Sequence, residues 1–192
     1  SESLPISAQE CVNLYMNIPQ TESPTKNNLF ITPGLTTATT AGTNTFNRGS
    51  HDFKGSPYFV QGNDLFRVDR TIDAFGVVTY SSVEVDGGTS LPGTGPVMMA
   101  DNGNEGDQMC IILPDQTNTF NAYIFTEPST LTQISDVDFD GPVSSVRYVD
   151  GYFLFTKASG QSFFISALRD GLSYSATDNA SAESDPDNVV AA

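Results

Sequence analysis

The stretch VSSVRYVDGYFLFTKASGQSFFISALRDGLS, residues 143–173, decides the fold class. Aromatic and β-branched residues predict strands at 143–149, 152–156 and 162–166. The dipeptide Asp150-Gly151 is a strong signal for a two-residue hairpin turn. Residues 158–160 predict a second turn, and Asp170-Gly171 predicts a third turn that leads into a strand at 172–176. Four short antiparallel strands joined by tight turns form a meander, which is the unit of a propeller blade.

The same unit occurs three times, at a spacing of about 45–50 residues, which is the range of propeller blades. The predicted strands are 46–54, 58–61, 65–68 and 77–85 in the first unit; 96–103, 108–113, 122–126 and 131–134 in the second; and 141–150, 152–156, 162–166 and 172–176 in the third. Residues 187–192, DNVVAA, predict the opening strand of a fourth unit. The sequence therefore predicts an all-β, propeller-like protein with three four-stranded meander blades.

Three blades do not close a ring, since propellers have about four to eight. We therefore expect the chain to be part of a longer one, or its ordered part, or to close with another polypeptide. A β-sandwich of about twelve strands is the alternative fold.

Residues 1–45 differ from the blades at 46–192, because prolines interrupt them and 36–45 is a polar, low-complexity run. We predict an extended N-terminal arm with one strand at 28–32. Ser7 to Glu10 fits a capping box, which predicts one or two helical turns through Met16.

The charge balance excludes several partners. The chain has 23 acidic and 8 basic residues and a net charge of −15. Such a surface repels nucleic-acid phosphates and anionic membranes, so we expect neither groove binding of DNA nor a membrane partner. Cys110 lies in an apolar run, where a buried thiol is expected.

Catalytic patterns are absent from the sequence, and we predict that the protein is not an enzyme. The single histidine, His51, has no nucleophile motif beside it, so a surface role is expected. Residues 166–174 are similar to the structural turn of sialidase-type blades, which supports a blade and no sugar-cleaving activity.

One segment matches half of a calcium loop. Asp136, Asp138 and Asp140 precede Gly141, as in the first half of an EF-hand, but Arg147 stands where that loop has its bidentate glutamate. We predict a candidate Ca²⁺ site at these three carboxylates and no other cofactor. The alternative is an acidic, solvated turn.

A succession of short stretches resembles the packaged-DNA stabilisation proteins of short-tailed bacteriophages. The resemblance covers nearly the whole chain, in order. The stretches are CVNLY at 11–15, TPGL at 32–35, RG at 48–49, PVMMADNG at 96–103, LTQISDVDF at 131–139, VDGYFLF at 149–155, FISAL at 164–168, ASAE at 180–183 and PD at 186–187.

The resemblance implies a structural virion protein of the phage tail, made in the host cytoplasm, and no catalytic residues. Members of the family are propeller-like and assemble as a ring under the portal, where they extend and close the channel that retains packaged DNA. It therefore implies portal or adaptor proteins and other tail proteins as partners, a homo-oligomeric ring, and DNA that passes without specific binding.

A second hypothesis is a propeller that binds a glycan or protein of the host surface. It requires an exposed aromatic cluster at one mouth of the blades, for which Tyr58, Tyr80 and Tyr123 are candidates. A propeller hydrolase is disfavoured, because the chain has one histidine and no tryptophan.

Overall fold

The computed structural model describes residues 14–17, 28–31, 37–42 and 46–182. Within these ranges the protein is all-β apart from one four-residue helix. The chain divides into two compact units, Ser1–Thr37 and Ala38–Ala192. The functional division into an arm at 1–45 and blades at 46–192 stays a prediction, and the predicted strand at 187–192 lies outside the described residues.

The smaller unit contains one two-stranded sheet. Strand β1 (Leu14–Asn17) pairs antiparallel with β2 (Asn28–Ile31), and Leu14 lies opposite Ile31. The predicted strand at 28–32 is confirmed by β2. The predicted helical turns are wrong at residues 14–16, because pairing with β2 overrides the local capping signal; residues 7–13 of that prediction lie outside the described residues.

The larger unit consists of three four-stranded antiparallel sheets, each a meander. The first sheet contains β3 (Asn47–Phe53), β4 (Ser56–Gln61), β5 (Asp64–Ile72) and β6 (Val78–Glu84). The second contains β7 (Met98–Asp101), β8 (Gln108–Ile112), β9 (Ala122–Thr126) and β10 (Thr130–Gln133), with helix α1 (Gly103–Gly106) between β7 and β8. The third contains β11 (Val143–Val149), β12 (Tyr152–Lys157), β13 (Ser162–Ala167) and β14 (Asp170–Ser181). All twelve predicted blade strands are confirmed, and the described strands form three separate sheets, as in blades, and not the two layers of a sandwich.

Two of the three predicted turns of the third sheet lie where the sequence places them. Asp150 and Gly151 both have positive φ angles, 50° and 92°, as a two-residue hairpin turn requires. The third prediction is wrong: Ala167 pairs with Asp170, so Leu168 and Arg169 form the turn and Asp170-Gly171 begins β14.

Close packing between sheets, and not a turn, explains the glycine at position 171. A Cβ at this position would lie 2.5 Å from the Ile124 side chain and 3.0 Å from the Phe153 ring. Its N–H donates to Gln108 Oε1 at 2.7 Å. The glycine therefore permits close packing of the third sheet on the second.

The second sheet lies between the other two, and its central strands β8 and β9 are buried on both faces. Along β8, Met109 and Ile111 belong to the core shared with the first sheet, while Cys110 and Ile112 belong to the core shared with the third. Cys110 is fully buried, as predicted, and burial raises the pKa of its thiol. First strands β3 and β11 both contact β7, the arrangement expected where first strands surround a propeller axis.

Candidate functional surfaces

The Asp136 to Asp140 turn connects the second sheet to the third. The Asp136 carboxylate accepts N–H bonds from Asp138 at 2.9 Å and from Tyr174 at 3.1 Å. Asp140 Oδ1 lies 2.7 Å from Lys157 Nζ. Two of the three predicted calcium ligands thus bind protein groups, and within the described ranges no group of three or more His, Cys, Asp or Glu side chains is placed to hold a metal ion.

Calcium binding at this turn stays a prediction. Ca²⁺ takes about 6–8 oxygen ligands, so it must compete with Lys157 for Asp140. A calcium-induced rise in melting temperature that disappears in Asp138→Asn, but not in the neighbouring control Val137→Ala, would support the site. An unchanged melting temperature in the wild type would contradict it.

His51 joins two neighbouring sheets. It lies on β3, and its Nε2 is 2.6 Å from Asp101 Oδ2, at the end of β7. Both side chains are about one quarter exposed. The contact between His51 and Asp101 therefore links the first strands of two blades. This favours a structural role for His51.

A polar cluster links the first and second sheets around Glu127. Tyr58 donates its hydroxyl hydrogen to Glu127 Oε1 at 2.7 Å. Lys54 Nζ lies 3.6 Å from Glu127 Oε2 and 2.5 Å from Asp107 Oδ1, and Arg67 Nη1 lies 4.0 Å from Glu127 Oε1. The carboxylate of Glu127 on the second sheet thus contacts three side chains of the first sheet.

This cluster predicts a pH-dependent stability. Burial, followed by the bond to Glu127, raises the pKa of Tyr58 from 10.0 to about 12. The unfolded chain therefore loses this proton at lower pH than the folded protein, so the stability is present below pH 10 and is lost as the pH rises towards 12. The difference in unfolding free energy between wild type and Tyr58→Phe is expected to fall by about 1 kcal/mol between about pH 9 and about pH 11.

Urea unfolding at several pH values measures this difference. Tyr80→Phe, which changes an exposed ring, is the matched control. A pH-independent difference between wild type and Tyr58→Phe would show that the Tyr58 hydroxyl does not titrate differently in the two states.

Arg48 anchors the connection from the first sheet to the second, and sequence reasoning assigned it no role. Its guanidinium is buried and donates to the carbonyls of Gly62 at 3.0 Å, Leu91 at 2.7 Å, Pro92 at 3.1 Å and Gly95 at 2.7 Å. Burial lowers the pKa of Arg48, and Asp115, 3.9 Å away, partly offsets this.

Asn121 makes the corresponding link between the second and third sheets. Its Oδ1 accepts the N–H of Val143 at 2.9 Å, and its Nδ2 donates to the Val143 carbonyl at 2.8 Å and to the Leu113 carbonyl at 3.0 Å. The side chain thus binds the first residue of β11 as a neighbouring strand would. Both anchors are structural, and in the described part of the chain every buried side-chain N or O atom has a partner.

The three tyrosines predicted as a surface cluster do not form one. Tyr58 and Tyr123 lie in the core between the first and second sheets, at 0% and 4% exposure. Tyr80 lies on β6 and is 45% exposed.

Exposed apolar side chains instead concentrate on a projection of the first sheet, residues 67–83, which we call the ribbon. Of the eleven large apolar side chains that are exposed in the described ranges, six belong to it. They are Ile72, Phe75, Val77, Val78, Tyr80 and Val83. Ile72 lies opposite Val78 in the strand pairing and Tyr80 follows on the same face, so these three share one face of the ribbon. Exposed apolar side chains concentrated on one element of a soluble protein mark a candidate interaction site.

The model of one protein family, a phage-stabilisation family described as "Bacteriophage P22 Gp10, beta-propeller", matches residues 7–192. The chain belongs to this family. The match confirms the resemblance and agrees with the three blade-like sheets. A search of curated proteins finds no match.

Membership of the phage-stabilisation family identifies a structural phage protein of the virion, associated with DNA stabilisation. Among the described residues, no helix has the length and apolar character needed to span a membrane.

The charges of this phage-stabilisation protein are unevenly compensated. Seven of the basic residues lie in the described ranges, and at least five of these seven lie within 4.0 Å of a carboxylate. They are Arg48, Lys54, Arg67, Lys157 and Arg169. Most of these basic side chains are therefore paired within the protein. The surplus of carboxylates determines the electrostatic potential at the protein surface.

Proposed function

We propose that this chain is a structural component of the phage tail that extends and closes the portal channel and so retains packaged DNA. The observation that carries the proposal is the match to the phage-stabilisation family over residues 7–192. Its partners are portal or adaptor proteins, other tail proteins and further copies of itself in a ring.

The fold supports a structural role. Three sheets packed face to face, with side-chain anchors at Arg48 and Asn121, form a stiff wall element. Residues 1–45 are proposed as an arm that reaches an adjacent subunit, since terminal segments often order on assembly.

The net negative charge supports a role in which DNA passes along the protein without binding to it. A net charge of −15, with most cations already paired, repels phosphate and lets the duplex slide. This requires the acidic residues to face the channel in the assembled ring. Purified protein is accordingly expected to leave the mobility of duplex DNA unchanged even at low salt, where a basic protein of similar size retards it. Salt-sensitive binding by this protein would contradict the sliding role.

Cryo-electron microscopy of the purified protein mixed with its portal complex tests the proposal. A ring on the portal axis, with carboxylates concentrated on the channel face, is the expected result. A uniform distribution of carboxylates would contradict the acidic channel. A free monomer that ignores the portal would contradict the tail role and favour a host-surface binding module, for which glycan screening is the next measurement.

A further inference from the structure

We propose that the ribbon, residues 67–83, docks onto a second copy of this chain, against the apolar residues beside that copy's Asp150-Gly151 turn. The inference rests on the proposed ring assembly and names the surfaces that build it. The contact joins different surfaces of the two copies, so it is head-to-tail, and such contacts generate rings when the rotation closes.

The ribbon extends beyond the sheet that carries it. Strand β4 pairs with β5 only between Asp64 and Arg67. From residue 68 to residue 72, β5 pairs with β6 alone, and among the described residues no further strand pairs with either edge. Outside the strands, Ser82 of β6 donates its hydroxyl hydrogen to the Thr40 carbonyl at 2.7 Å. A two-stranded hairpin is at best marginally stable in water, so this projection gains from a partner.

The tip of the ribbon is held in one conformation. Asp73 Oδ1 accepts N–H bonds from Phe75 at 2.8 Å and from Val77 at 2.9 Å, and the Asp73 N–H donates to the Val77 carbonyl at 3.0 Å. These bonds fix the backbone of the turn that carries Phe75, whose side chain is 92% exposed. A turn with a fixed backbone loses little backbone entropy on binding, and an exposed aromatic side chain on it is suited to anchor an interface.

Charge favours a second copy as the occupant. Two molecules of net charge −15 repel each other over most of their surfaces. The ribbon contains two arginines, Arg67 and Arg70, and two aspartates, Asp69 and Asp73, so its formal charge is zero. It is therefore a surface by which another acidic copy approaches without like-charge repulsion.

The acceptor surface lies on the third sheet, at the other end of the row of sheets. Val149, which is 50% exposed, precedes the Asp150-Gly151 turn. Leu168, which is 59% exposed, packs over that turn, since its Cδ1 would lie 2.7 Å from a Cβ at Gly151. The exposed carboxylate of Asp150 offers an opposite charge to the exposed Arg70 of the incoming ribbon.

Sedimentation of purified full-length chains, without portal, tests the contact. Wild type is expected to self-associate, and Phe75→Ser is expected to weaken association by about tenfold or more. The matched control is Val137→Ser, because Val137 is 90% exposed but lies outside both surfaces. A wild type that stays monomeric at about 100 μM, where even weak specific contacts are populated, would overturn the proposal, as would equal effects of the two variants.

A charge exchange tests the acceptor surface. Arg70→Asp is expected to weaken association by repulsion from Asp150, and adding Asp150→Lys in the same chain is expected to restore it. Lysine fits this turn, since Lys54 occupies the equivalent position of the β3–β4 turn with a φ of 54°. Failure of the double variant to recover association, with both variants folded by circular dichroism, would overturn the head-to-tail geometry.

The portal experiment separates this inference from the proposed function. A chain that self-associates through the ribbon and ignores the portal supports the contact and contradicts the tail role. A chain that stays monomeric in solution and binds the portal contradicts the contact.

Discussion

Replacing Arg48 by methionine is expected to lower the free energy of unfolding by about 3 kcal/mol. The substitution leaves the buried carbonyls of Gly62 and Leu91 without their donor, and each buried unsatisfied acceptor costs about 1–3 kcal/mol. Release of a buried guanidinium offsets part of this cost. The remainder destabilises the connection between the first and second sheets.

Urea unfolding of Arg48→Met and two further variants measures the effect. Arg48→Lys is expected to recover only part of the loss, because one ammonium group does not span four carbonyls as a planar guanidinium does. Lys157→Met removes a partly exposed ion pair with Asp140 and is expected to cost less than about 1 kcal/mol. If Arg48→Met unfolds like the wild type, water replaces the guanidinium and Arg48 is not an anchor.

Local patterns were sufficient to predict the blades because each signal acts between residues close in sequence. Alternating apolar residues specify which positions of a strand face a core. Asp150-Gly151 specifies a turn that needs positive φ angles, which both residue types adopt readily. The same local logic failed at Asp170-Gly171. There the glycine reflects contact with Ile124 and Phe153 on other strands, which no local pattern reveals.

The same limit applies to the short unit before the blades. Residues 14–16 carry no strong strand signal, and their pairing with β2 crosses more than ten residues of sequence. A local capping box therefore predicted a helix where a distant strand determines the structure. Such tertiary overrides are expected where propensities are weak.

The functional surfaces depended even more on contacts between sheets. Tyr58 and Tyr123 were candidates for a surface cluster because tyrosine tolerates both water and a core, and only the packing of two sheets decides between them. Arg48 belongs to a dipeptide that resembles the phage family, but its four carbonyl partners lie 14 to 47 residues away in sequence. The ribbon was missed because its strands read as an ordinary third and fourth strand.

Replacing Phe139 by alanine is expected to lower the free energy of unfolding by about 3–5 kcal/mol. Phe139 lies within the acidic turn that resembles half of a calcium loop, yet its side chain is only 2% exposed. Its ring lies 5.0 Å from that of Tyr174, 5.3 Å from Phe164 and 5.7 Å from Phe155, measured between centroids. The substitution therefore opens a cavity at the centre of the aromatic core between the second and third sheets.

The neighbouring variants separate this packing role from the role of the carboxylates. Val137→Ala changes a side chain that is 90% exposed, and Asp138→Ala changes one that caps nothing in the described contacts, so each is expected to shift the unfolding free energy by less than about 0.5 kcal/mol. Asp136→Ala removes two backbone N–H partners and is expected to cost about 1–2 kcal/mol. If Phe139→Ala costs less than Asp136→Ala, the carboxylate organises the turn. The largest loss of unfolding free energy is expected for Phe139→Ala. That order would show that the turn contributes mainly by packing the Phe139 ring between the second and third blades, with the acidic residues around it.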